Sequence, residues 1–190
     1  MIAYKKERIE NAILFFAKEH RKKTKQYISQ TALYKYLAFF EFRLLKKQGE
    51  MPLELTYQAM EHGPVPIEIY KNHEYCSLIK MEPFLIKNNQ KAYKIIPNGK
   101  FNSDYFSENE IKEMNNLIDM FAQKEVGAAI MSAASHQAIK AWFKTYHNKP
   151  NSIIDPINEF DRNILTVPVN ELKSEEEKYL MFRKLSEIVN

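Results

Sequence analysis

The chain has 190 residues, 45% of them apolar and 23 of them Phe or Tyr. That suits one domain with a sizeable core and excludes disorder over most of the length. A single cysteine, Cys76, excludes an internal disulfide and fits a reducing compartment. The net charge of +4 is uneven: residues 1–50 hold twelve Lys/Arg against five Asp/Glu, net +7, and the remaining residues are net −3.

In chain order, Ile9, Ala12, Ile13 and Phe16 recur at i, i+3, i+4, i+7 and predict a helix over Ala3–His20. No small-residue cleavage site follows its apolar part and no apolar run approaches 18 residues, so we expect a cytoplasmic protein without a membrane span. The basic run His20–Lys25 reads as a solvated loop. Ser29 is a predicted N-cap for a helix over Gln30–Gln48, apolar around most of its circumference and ended by Gly49. Leu53, Leu55 and Tyr57 alternate like a short strand, which Gly63-Pro64 breaks. Pro66 suits the first turn of a helix to about His73. Phe84 and Ile86, then Tyr93 and Ile95, predict a hairpin turning at Asn88-Asn89.

Ser107 and Glu110 form a capping box for a helix with Ile111, Met114, Leu117, Ile118 and Phe121 inward. A small-residue helix, "AAIMSAAS", follows Gly127. Next, Ile139, Trp142, Phe143 and Tyr146 mark a helical stripe; Ser135 reads as its cap, His136 as its first turn and Trp142 as a core anchor. "ILTVPVN" reads as extended. Ser174 with Glu177 reads as a second capping box, opening a last helix packed on the body through Met181, Leu185 and Ile188. The expected fold is α+β: a mostly helical domain over 1–150 with a small antiparallel hairpin, and a C-terminal extension over 151–190 of net charge −3.

Few residues can carry chemistry. The five histidines form no metal-ligand pattern, and His73 with Cys76 supplies two ligands where a tetrahedral site needs four. We expect no metal and no cofactor. There is no nucleophile elbow, and four scattered glycines build no phosphate loop. Adjacent helical residues such as Ser135 and His136 point apart, so no catalytic residue is assigned and no enzyme is expected. Two features remain. Arg21, Lys22, Lys23 and Lys25 are candidates for nucleic-acid contact. The stretch "EHGPVP" is a stiff corner: Gly63 allows a backbone angle other residues resist, and Pro64 fixes the next. It serves either the fold alone or a partner.

"ALYKYLAFFEFRLL" before a glycine, "YQAMEHGPVPIEIY", the capped helix "SENEIKEMNNLIDMF" and "SHQAIKAW", in this order, resemble the SocA-like antitoxin family, also called the Panacea or phage-associated GepA-like domain. Ala59, Gly63, Pro64, Val65 and Tyr70 match its signature, and Ser135, His136 and Trp142 its later element. The resemblance spans about residues 5–148. One departure is Gln137, where members often carry a glutamate. The resemblance implies a bacterial protein-binding module that neutralises a cognate toxin, or hands it to a protease, without catalysis. Glu61, His62, Gly63, Pro64 and Val65 are then expected at the interface, with Tyr70 beneath and His136 joining across the fold. The alternative is a nucleic-acid-binding regulator using the basic N-terminal half. The sequence leaves the oligomeric state open.

Overall fold

The computed structural model describes residues 3–86, 89 and 91–189. Within them are α1 (Lys5–Thr24), α2 (Gln30–Gln48), β1 (Tyr57–Met60), β2 (Gly63–Pro66), α3 (Ile67–Lys71), β3 (Ile79–Leu85), β4 (Lys91–Pro97), α4 (Glu108–Phe121), α5 (Ala128–Ala138), α6 (Lys140–Asn148) and α7 (Ser174–Val189). The fold is therefore mostly helical α+β, as expected, with two antiparallel two-stranded sheets where one hairpin was expected.

Helix α2 is the axis. Leu33, Tyr36, Leu37, Ala38, Phe40 and Leu45 have no more than traces of exposure, and α1, α4, α5, α7 and β2 all pack on it. A helix apolar around most of its circumference leaves little face for water. Its ends obey local rules: the Ser29 side chain accepts from the Ala32 N–H, and Gly49 closes it with φ +71°. Aromatic rings fill the spaces between helices. Phe16 stacks on Tyr36 at 4.9 Å and Phe39 on Phe121 at 4.8 Å.

Several expectations shift. Helix α1 continues to Thr24, with Lys25 left-handed beyond it, so most of the basic run is a helical last turn rather than a loop. Arg21, Lys22 and Lys23 there face the negative end of the helix dipole. Leu53 and Leu55 are buried but not in a strand: their N–H groups donate to the Glu41 carboxyl Oε1 at 3.0 and 3.4 Å, which folds 51–56 into a turn against α2. Asn89 is left-handed, as a turn needs, while Asn88 lies outside the described residues.

The largest change concerns Gly63–Pro66, which is a strand and not a break. It pairs with β1 in the register Tyr57↔Pro66, Gln58↔Val65, Ala59↔Pro64 and Met60↔Gly63. Two prolines are tolerable because Tyr57 and Ala59, opposite them, direct their hydrogen bonds the other way. Ala59 N–H donates to Ser152 C=O, and Ile154 N–H to Tyr57 C=O. Pro64 and Pro66 thus sit where the ladder asks for no N–H. Residues 151–154 flank β1.

At the C-terminal end, "ILTVPVN" forms turns and a short 3-10 helix (Val169–Glu171), not a strand. The start of α7 lies one residue earlier than expected: Lys173 is the cap, its N–H donating to Glu176 at 2.8 Å. Met181, Leu185 and Ile188 point outward and are 58–79% exposed. The docked side instead carries Tyr179, which meets Phe160 at 5.3 Å, and Arg183, which pairs with Asp155 at 3.0 Å.

Candidate partner-binding face

Glu61 and His62 are the two-residue turn of the β1–β2 hairpin, and both are exposed. Behind them Gly63 has φ +101°. A Cβ added there would stand 2.5 Å from Ser135 Oγ and 2.8 Å from Lys35 Nζ, so the position needs glycine both for its backbone angle and for its space. Lys35 is fully buried and donates to the Pro64 C=O at 3.0 Å. Burial pushes its ammonium down to about 7. Ser135, also fully buried, donates to Ser132 C=O at 2.7 Å. The turn is therefore held from below by α2 and α5.

A ladder of rings flanks it. His136 stacks on Trp142 at 4.0 Å and 6°, and Trp142 on Tyr146 at 5.0 Å and 15°. Trp142 is 3% exposed, and its Nε1–H donates to Met60 C=O at 3.0 Å, tying α6 to the hairpin one residue before the turn. This is the anchor role expected of it. Desolvation, then Lys35, then His62 hold the His136 imidazole below its ordinary range, while the adjacent Glu61 backbone works the other way. Its Nε2 is buried and has no hydrogen-bond partner among the described residues. Tyr146 is half-buried and Phe143 is 51% exposed, with His147 against it at 4.1 Å.

The fold brings His136 close to Glu61 and His62. It reaches there differently from expectation: Ser135 and His136 close α5, and a kink at Ile139 separates them from α6, so Ser135 caps nothing in α6. Gly63, Pro64 and Val65 are buried, Val65 to 8% exposure, and offer no side chain to a partner. They build the turn from within. Tyr70 is not beneath it either. It lies on α3, beyond the opposite end of β2, 47% exposed and edge-on to Tyr34. Lys35 and Tyr146 stand at the candidate face without having been singled out from the sequence. A lone lysine in the apolar run "LYKYLAFF" was the available signal for the first; the apolar stripe of α6 concealed the outward edge of the second.

Of the basic residues, Lys23 turns to α4 and pairs with Asp119 at 2.6 Å, and Lys22 pairs with Glu19 at 3.2 Å. Arg21 lies 4.2 Å over the Tyr27 ring, and Lys25 donates to Lys22 C=O. Cys76 is buried, its thiol pushed up to about 12 by desolvation, which keeps it protonated at neutral pH. Among the described residues no group of three His, Cys, Asp or Glu converges as metal ligands. No helix among them is long and apolar enough to cross a membrane.

Comparison with curated proteins and with solved structures returned no match. A family model described as antitoxin SocA-like, Panacea domain, matches residues 33–155, which run from the first apolar residues of α2 to the segment beside β1. It takes in the hairpin turn, the ring ladder and the helices beneath them, and it covers more than half of the chain: the protein belongs to the SocA-like, Panacea-domain antitoxin family.

Proposed function

We propose that this protein is a cytoplasmic antitoxin that captures a protein toxin by direct contact and occludes its working surface. Its contact face is the Glu61–His62 turn with Tyr146, stacked on Trp142, beside it and His136 at the edge. The observation that carries this reading is a two-residue exposed turn whose supports are all buried: Gly63, Lys35, Ser135 and the Trp142–Met60 bond. A contact element fixed before binding loses little conformational entropy when the partner arrives. The half-open Tyr146 is of a residue type that carries interface energy. The supporting groups are committed to holding backbone, which is a binding design rather than a catalytic one. Delivery of the captured toxin to a protease would use the same contact.

The test is co-expression with the product of the neighbouring gene, read by growth rescue and co-purification. The wild type rescues growth and retains the partner. The double variant E61K/H62E weakens binding at least tenfold while its melting temperature stays within about 2 °C, because both side chains are exposed. Undiminished rescue by that variant overturns the site. Absence of rescue and of complex with the wild type overturns the function.

A further inference from the structure

A second surface, built from α1 and the β3–β4 ribbon, gathers charge that the chain keeps apart. Residues 28 and 29 add to the edge of β4: Ile95 N–H donates to Ile28 C=O at 2.9 Å, and Ser29 bridges Lys94. Ile28 and Ile95 are both buried, so they face the core. Tyr27, Lys94, Glu82 and Lys80 alternate onto the outer side of this three-stranded unit, since Glu82 is the partner of Lys94 and Lys80 of Ile96. Tyr27 gathers the cations: Arg21 lies 4.2 Å from its ring centroid and Lys94 5.8 Å. Along α1, Lys18, Arg21, Lys22 and Lys25 recur at i, i+3, i+4, i+7, one side of the helix. Lys18 joins that side to the ribbon by donating to Gly99 C=O at 3.0 Å.

Six cations, Lys18, Arg21, Lys22, Lys25, Lys80 and Lys94, thus share one face with two carboxylates, Glu19 and Glu82, for a net charge of +4. Both carboxylates are spent in solvated pairs, on Lys22 at 3.2 Å and Lys94 at 3.5 Å, which compensate little. Lys18 and Lys25 donate to carbonyls, which leave their charge uncancelled. Arg21 has no ion pair among the described residues and rests on a ring instead. Like charges held together with only two solvated carboxylates among them are stabilised by an external polyanion. We propose that this face binds the phosphate backbone of nucleic acid, without base readout, independently of the toxin-binding face. Tyr27 serves there as the platform that holds Arg21 flat and outward. Lys23, turned to Asp119, takes no part.

The test uses the full chain and fluorescence anisotropy with a labelled 20-nucleotide mixed-sequence single strand and the corresponding duplex, from 50 to 200 mM salt, alongside flotation with phosphatidylserine-containing vesicles. The expected result is binding to nucleic acid that weakens steeply with salt. R21E/K94E then loses affinity at least tenfold and shows a shallower salt slope. The control K112E/K124E makes the same charge change at exposed sites in and just after α4, and alters affinity less than twofold. Three outcomes overturn the proposal: no binding to either nucleic acid at 50 mM salt, equal losses in the two variants, or binding to vesicles alone.

Discussion

Gly63 is the smallest residue in the candidate site and the most constrained. Its φ of +101° excludes side chains at little strain, and the space where a Cβ would go holds Ser135 Oγ and Lys35 Nζ. Gly63→Ala is expected to cost about 2 kcal/mol or more, since a left-handed backbone angle alone costs about 1–2 kcal/mol for a residue with a Cβ. Chemical denaturation measures it; a loss under 0.5 kcal/mol would mean that the turn is not braced as described. The glycine was legible in the sequence as a special backbone position. Its reason was not, because Lys35 and Ser135 are 28 and 72 positions away and only packing brings them under the turn. The same holds for burial of Pro64 and Val65: a proline-rich corner reads as surface, and the covering α2 and α5 cannot be seen locally.

At the scale of elements, legibility tracked whether the deciding interaction is local. The ends of α2 and the start of α4 follow from caps within three residues, Ser29 to Ala32 and Ser107 to Glu110. β2 escaped detection because its prolines are permitted only by pairing with β1, whose outward bonds go to residues 151–154. The apolar stripe of α7 misled for a related reason. Amphipathicity says that one side differs from the other, yet α7 docks through Tyr179 and the Arg183–Asp155 and Arg162–Glu176 pairs, leaving Met181, Leu185 and Ile188 outside. Gly49 sets that docking. A Cβ there would stand 2.1 Å from the Glu175 C=O at the start of α7. Gly49→Ala is therefore expected to loosen α7 selectively. Limited proteolysis should cut within 165–189 well before the body, whereas simultaneous loss of tail and body would show that α7 is not held separately.

For the whole molecule, buried ionisable groups predict an unusual pH profile. Desolvation pushes Glu41 up to about 8 from 4.5, so between those values the folded state keeps a proton the unfolded chain has lost. Its stabilising contribution is complete below pH 4.5 and is lost as pH rises through 8. Lys35 is pushed down to about 7 from 10.5; its contribution is complete above pH 10.5 and is lost as pH falls through 7. The two oppose each other about neutrality, while buried His20, held below its ordinary range, acts only on the acid side. Glu41→Gln should gain melting temperature relative to wild type as pH rises from 5 to 8, and Lys35→Met should gain as pH falls from 10 to 7. Parallel wild-type and variant curves in either comparison would place that group's titration outside the folding equilibrium.

By itself the sequence determined the helical class, the central helix with its two caps, the β3–β4 hairpin, and the family signature around Gly63. Each depends on periodicity or on bonds between neighbours. The tertiary structure alone decided which part of that signature faces outward, what holds it there, which rings stand beside it, and how Arg21 and Lys94 come to share Tyr27. Those arrangements join residues tens of positions apart, and their energies exist only once α2 has brought the surrounding elements together.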